Sequence, residues 1–234
     1  MKIRTLGRFE VLRDDKPVRF SRKVPKKSLD LLKALIAFNG EVSETRLCDV
    51  LWPDADGDAA HRAFKITLIR LRDLLERKEA IQHRDGTVSL GRRFVWVDTW
   101  AFEAAVEAYS DDKSGAALEK IFSLYQGPFL NDDRENWAMS LRERLRRKFL
   151  GLIEKAGSRW EEQKKYRPAI DCYLKGLETD DLFEEFYQRI IACYLHLGRK
   201  AEALSVYKRC EKTLQAYHME PSSETRALYN RLIS

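Results

Sequence analysis

The sequence predicts a chain in two parts: an α+β amino-terminal domain over residues 1–98 and an all-α domain over residues 99–234, mainly helical overall. Three observations carry this. Apolar spacing near the amino terminus first alternates, as in short strands, and then steps by three and four, as in helices. Beyond residue 100 helical spacing is almost unbroken and recurs with a period of 34 residues. The formal net charge of +6 sits wholly in the first part: residues 1–100 carry 21 Lys and Arg against 15 Asp and Glu, whereas the remainder carries 22 of each. Such asymmetry fits a basic binding module joined to a neutral one.

In "KIRTLGRFEVL", Ile3, Thr5, Phe9 and Val11 alternate around a turn at Gly7, and "DDKP" makes a second turn into Val18 and Phe20. A helix follows in "KKSLDLLKALIAFNG", with Asn39-Gly40 as its carboxyl cap. "VSETRLCDVLW" is the next helix, with Ser43 as N-cap, Leu47, Val50 and Leu51 facing inward, and Pro53 as its stop. "DADGD" is a loop, and Asp58 is placed to cap a long helix over residues 58–77. Asp85-Gly86 then separates two short alternating runs, a type I′ hairpin signal, and "RFVWVD" reads as one more strand. Strands, three helices and a hairpin, in that order, are the layout of a winged helix-turn-helix.

From Trp100 onward the reading is tetratricopeptide-like. Ala169 aligns with Ala203, Tyr173 with Tyr207 and Trp160 with Tyr194, each at an offset of 34, and Gly198 marks a turn between paired helices. A small residue lets two helices approach, and the aromatic four residues later fills the adjoining groove. Stacked repeats bury their faces only against neighbours, which the surrounding helical segments supply.

Some classes are disfavoured. No run approaches a membrane span, "MKIRTLGRFE" lacks the apolar core of a secretory signal, and a cytoplasmic location is expected. Cys48, Cys172, Cys193 and Cys210 form no C-x-x-C pair and the histidines at 61, 83, 196 and 218 are scattered, so neither a disulfide frame, a metal site nor a cofactor is expected. The acids at 180, 181, 184 and 185 read as a solvated helix start rather than catalytic carboxylates. No nucleophile–base constellation is visible, and the chain is not expected to be an enzyme.

The combination of "LGRFEVLRDDKPV", "ITLIRLRDLL", "VWVDTWAFE", "LYQGPFLND", "WAMSLRERLRRKFL" and "MEPSSETRALYNRL" resembles the bacterial antibiotic regulatory protein family of transcription activators. These join an OmpR-type winged helix to a tetratricopeptide-like bacterial transcriptional activator domain. The resemblance covers nearly the whole chain and implies DNA-binding transcriptional regulation. Two departures stand out: "IQHRDGTVSLGRRFVW" lacks the Gly-Tyr wing end common in the OmpR type, and no G-x-x-x-x-G-K-[ST] phosphate loop is present. A sensor or ATPase domain of the regulator would lie outside this chain.

Helix 58–77 carries the sharpest question. With Phe64 as origin and 100° per residue, Leu68, Leu71 and Leu75 lie within about 40° of it. Arg62, Ile66, Ile69 and Asp73 lie near the opposite side, with Arg70 on the flank. In a winged helix that opposite side enters the major groove, where Arg pairs with guanine and an apolar group meets a thymine methyl. Lys65 and Thr67 lie toward the margins, where phosphates would pass. Arg72 lies near the core edge, to brace the fold or to reach the DNA backbone. Arg84 beside the hairpin tip, with Arg92 and Arg93, completes the expected DNA-binding set, and Lys23, Lys26 and Lys27 precede the first helix. Trp52, Trp100, Phe102 and Trp137 are expected to bury.

The expected function is a sequence-specific, double-stranded-DNA-binding transcriptional regulator acting as an activator. Its helical domain would contact RNA polymerase, a second protomer or a sensor domain. The alternative is a signalling adaptor whose winged helix and repeats bind protein rather than DNA.

Overall fold

The computed structural model describes residues 1–18, 26–109 and 114–233; Phe20 and Lys23 lie outside the described residues. The chain forms two compact units, Met1–Leu145 and Arg146–Ser234.

The first unit opens with strands β1 (Lys2–Arg4), β2 (Glu10–Arg13) and β3 (Lys16–Pro17). They pair antiparallel in sequence order, with Ile3 opposite Val11 and Leu12 opposite Pro17. Helix α1 (Lys26–Ala37) follows and buries Leu31, Leu32, Leu35 and Ile36. Its end is the expected cap: Asn39 and Gly40 take φ of 61° and 87°, and the Gly40 N–H donates to the Leu35 carbonyl at 2.7 Å. A Cβ at Gly40 would stand 2.8 Å from the Trp100 ring, so both the conformation and the space call for glycine.

A short strand unforeseen in the sequence, β4 (Glu41–Ser43), leads into α2 (Glu44–Leu51). Ser43 caps α2 by accepting from the Arg46 N–H; Leu47 and Leu51 are buried, whereas Val50 is only half-buried. The long helix α3 spans Gly57–Leu75, and its cap is Asp56, which accepts from the Ala59 N–H at 2.6 Å. Asp58 instead sits in the first turn, where the helix dipole favours its charge. At the other end Glu76 takes φ 51° and stops the helix.

A 3-10 turn (Lys78–Ala80) feeds the hairpin of β5 (Ile81–Arg84) and β6 (Thr87–Leu90). Asp85 and Gly86 have φ of 49° and 70°, the pair of positive values a type I′ turn demands. β4 adds to the other edge of β6, so the wing is a three-stranded sheet ordered β4-β6-β5. The run "RFVWVD" contributes only β7 (Trp96–Val97). It leaves the wing and pairs parallel with β1, giving the second sheet the order β3-β2-β1-β7.

Helices α4 (Asp98–Tyr109) and α5 (Gly115–Leu124) complete the interior of this unit, with Phe102 and Ile121 fully buried. The segment after α5 folds back on the first strands: Leu6 bridges Phe129, and the Lys33 ammonium meets the Asp133 carboxylate at 2.9 Å. Arg142 fastens that segment by donating to the carbonyls of Phe129, Leu130 and Asp133 at 2.6–2.7 Å. Trp52 and Trp137, expected inside, are half-buried, and the Lys27 ammonium lies over the Trp52 ring at 5.7 Å.

Helix α6 spans Asn136–Glu162, and the second unit also holds α7 (Tyr166–Thr179), α8 (Glu184–His196), α9 (Lys200–Ala216) and α10 (Ser223–Ile233). The 34-residue register holds in three dimensions. Ala169 and Ala203 are the fourth residues of α7 and α9, Tyr173 and Tyr207 the eighth, and all four are buried. The entry turns match as well: Lys165 lies over the Trp160 ring at 5.1 Å, and Arg199 over the Tyr194 ring at 5.3 Å. The Lys165 and Arg199 N–H groups donate to the Trp160 and Tyr194 carbonyls, each at 2.9 Å.

Candidate nucleic-acid interface

Helix α3 is held on its inner side by Phe64, Leu68, Leu71 and Leu75, all buried. A helix so anchored must present its other face outward. There Ile66 and Ile69 are 51% and 58% exposed. Arg62, Lys65 and Arg70 are exposed beside them, and among the described residues none of the three is engaged in an ion pair or hydrogen bond. Two β-branched apolar side chains held open to water, flanked by uncommitted cations, form a face suited to groove floors and phosphates.

Three of the expected contacts have partners or positions within the fold. Thr67 lies inside, at 6% exposure, because the i+3 step from Phe64 brings it to the core side rather than to a margin. Arg72 is half-buried and donates to the Ile81 carbonyl through Nε at 3.2 Å and Nη2 at 3.0 Å. It thereby braces α3 to the wing, the structural one of its two expected roles. Arg92 is exposed, but its guanidinium is already engaged: it donates to Asn39 Oδ1 at 3.1 Å and stacks over the Trp100 ring at 4.4 Å.

Arg84 and Arg93 are exposed and uncommitted among the described residues. Arg84 sits at the base of the wing turn, whose tip is fixed by the Glu44 N–H donating to the Gly86 carbonyl at 2.7 Å. Lys26 and Lys27, expected before the first helix, are instead the first two residues of α1; Lys27 donates to the Leu51 carbonyl at 2.5 Å, while Lys26 is exposed. Phe102 is buried as expected, and Trp100 is half-buried.

Histidines that look scattered in sequence converge here. His61 Nδ1 lies 2.7 Å from Glu44 Oε1, and His83 Nε2 lies 2.7 Å from Glu44 Oε2. Cys48 Sγ is 3.9 Å from His61 Nδ1. Burial, reinforced by the Glu44 and Asp49 carboxylates, pushes the Cys48 thiol up to about 11. The sequence signal for this cluster was the i, i+4 spacing of Glu44 and Cys48 on one face of a short helix; nothing local pointed to His61 or His83.

The family model of the bacterial transcriptional activator domain matches residues 97–233. Among solved structures, the chain is similar to Mycobacterium tuberculosis EmbR, determined in complex with a low affinity phosphopeptide, with a TM-score of 0.67 at 19% identity. That match covers 99% of this chain and 64% of the EmbR chain, so the present sequence spans about two thirds of that protein's length, and the likeness is one of fold. Curated proteins give no match. No helix among the described residues is long and apolar enough to cross a membrane. With more than half of its length matched and the winged-helix-plus-helical architecture in place, the chain belongs to the bacterial transcriptional activator domain family of transcription regulators.

Proposed function

We propose that the chain is a sequence-specific DNA-binding regulator that reads the major groove with the outer face of α3 and acts as a transcriptional activator in the cytoplasm. The observation that carries this reading is the exposure of Ile66 and Ile69 beside the uncommitted Arg62, Lys65 and Arg70 on one helix face. Water gives no reason for that composition, whereas a base-lined groove does: methyl contacts for the isoleucines, guanine edges or phosphates for the cations. Arg84 and Arg93 supply backbone contacts from the wing side, and Thr67, Arg72 and Arg92 act in folding. The neutral helical domain is the protein-contacting part, with RNA polymerase or a second protomer as its partner.

A second reading has one specific support. Two isoleucines more than half exposed would equally suit an apolar protein groove, which makes the module an adaptor. Salt separates the two. Selection of genomic fragments by the purified chain, followed by footprinting and binding at several salt concentrations, should give a protected site whose affinity falls steeply with salt. Binding insensitive to salt, with no protected site, would favour the adaptor.

A further inference from the structure

Glu44, Cys48 and His61 meet where α2 faces α3. Glu44 and Cys48 are one helical turn apart and share a face of α2; His61 reaches them from the second turn of α3. Their donor atoms all lie within 4.8 Å of one another. A tetrahedral Zn2+ with ordinary bond lengths spaces its S, N and O ligands roughly 3.3–3.6 Å apart. The observed 2.7 Å between His61 Nδ1 and Glu44 Oε1 and 3.9 Å between Cys48 Sγ and His61 Nδ1 bracket that spacing, so side-chain shifts of under ~1 Å close the site.

The surroundings supply what a metal site needs beyond its ligands. His83 Nε2 holds the second Glu44 oxygen at 2.7 Å, which fixes the carboxylate and leaves Oε1 directed at Cys48 and His61. His83 is itself set by edge-on packing against Phe64, with ring centres 5.6 Å apart. On its open side the cluster borders a groove of about 280 Å³ whose walls include Thr45, Asp49, Trp52 and Ala60. That groove gives an entry path, room for a water as fourth ligand, and a further negative charge in Asp49.

We infer that Glu44, Cys48 and His61 bind one borderline-soft divalent transition-metal cation, with Zn2+ fitting the mixed sulfur, nitrogen and oxygen donor set best. Binding replaces the Cys48 thiol proton, which leaves to solvent, and uses neutral His61. Mg2+ and Ca2+, which demand more oxygen ligands, are excluded by the donors. The cation would clamp α2 to α3 one residue before Arg62. The inference stands independently of what the outer face of α3 binds.

The test uses the untagged full chain titrated with Co2+ and Zn2+. One equivalent of Co2+ should produce a near-ultraviolet thiolate charge-transfer band with tetrahedral visible bands, and Zn2+ should abolish both. Cys48→Ser should remove the thiolate band, although buried Cys172, Cys193 and Cys210 remain. His83→Gln should keep the stoichiometry and weaken binding about 10–100-fold. Saturating Zn2+ should raise the unfolding temperature of the wild type and leave that of Cys48→Ser unchanged. If Cys48→Ser does not fold, the wild type decides: Zn2+ should slow alkylation of Cys48 at least tenfold. No 1:1 binding, a thiolate band that survives Cys48→Ser, or alkylation unaffected by Zn2+ would each overturn the site.

Discussion

Asp98 holds Thr5 twice: its carboxylate accepts the Thr5 N–H at 2.6 Å and the Thr5 hydroxyl at 2.7 Å, while also accepting the Leu6 N–H at 2.8 Å. The carboxylate, buried at the start of α4, thus satisfies backbone donors where β1 ends. Burial pushes its pKa up, against the pull of these hydrogen bonds. Asp98→Ala leaves three buried N–H groups, those of Thr5, Leu6 and Thr99, and the Thr5 hydroxyl without their acceptor. It should cost ~2–5 kcal/mol, read as a lower denaturant midpoint. A midpoint within error of wild type would mean that water serves these donors.

The same contact bears on separability. Residues 1–98 contain the winged-helix elements and the whole positive excess, and they should bind DNA as a fragment. They lose the Gly7 N–H bond to the Pro128 carbonyl at 3.0 Å, the Leu6–Phe129 bridge and the Lys33–Asp133 pair. Residues 1–145 keep all three and should melt at a higher temperature than 1–98 while binding the same sites. Gel shifts and melting curves of 1–98, 1–145 and 146–234 check this. DNA binding confined to 146–234 would reverse the assignment of the binding module.

In the helical unit, Tyr173 fills the space that Gly157 leaves. A Cβ at Gly157 would lie 2.3 Å from the Tyr173 ring. Gly157→Ala should therefore destabilise the unit by ~1–3 kcal/mol through overpacking, and Tyr173→Ala or Tyr207→Ala by ~2–4 kcal/mol through the cavity left. Calorimetry of the three variants is the measurement. Unchanged melting in both tyrosine variants would break the 34-residue equivalence.

Much of this was legible beforehand because it is local. Asn39-Gly40, Ser43 and Asp85-Gly86 act within five residues, and each does in the structure what its chemistry requires. The inner leucines and the outer isoleucines of α3 followed from a period of 3.6, although Thr67, expected at a margin, lies inside. What escaped the reading depends on partners far along the chain. Arg72 and Arg92 carry the same charge as Arg62, and it is the Ile81 carbonyl, the Asn39 side chain and the Trp100 ring, all distant in sequence, that engage their guanidinium groups. β4 is three residues long and exists because β6 pairs with it. The Glu44–His61–His83 cluster joins residues up to 39 apart in sequence, and periodicity is blind to it.

Alkaline pH should weaken the helical unit. Burial pushes the thiols of Cys172, Cys193 and Cys210 up to about 12, from 9.0. Between those values the unfolded chain releases protons that the folded chain retains, so the unfolded state binds fewer protons and stability falls as pH rises. This contribution is fully present below pH ~9 and declines above it. Denaturant midpoints from pH 7 to 11 should fall, with a shallower slope in Cys172→Ala, Cys193→Ala and Cys210→Ala variants. A slope identical to wild type in all three would contradict buried, protonated thiols.

The outer face of α3 decides the central claim, through binding of single variants to a selected site and to random DNA at several salt concentrations, beside melting curves. Arg62→Ala and Arg70→Ala should remain folded, since exposed substitutions cost under ~0.5 kcal/mol. Loss of a base contact should weaken specific binding by ~1–3 kcal/mol at one position, and loss of a phosphate contact should flatten the salt slope by about one unit for all sequences. Ile66→Ala and Ile69→Ala should leave the salt slope unchanged and reduce discrimination at a thymine, whereas Phe64→Ala should destabilise the fold by ~3–5 kcal/mol. The result that would contradict the account is four outer-face variants that stay folded and bind DNA as the wild type does.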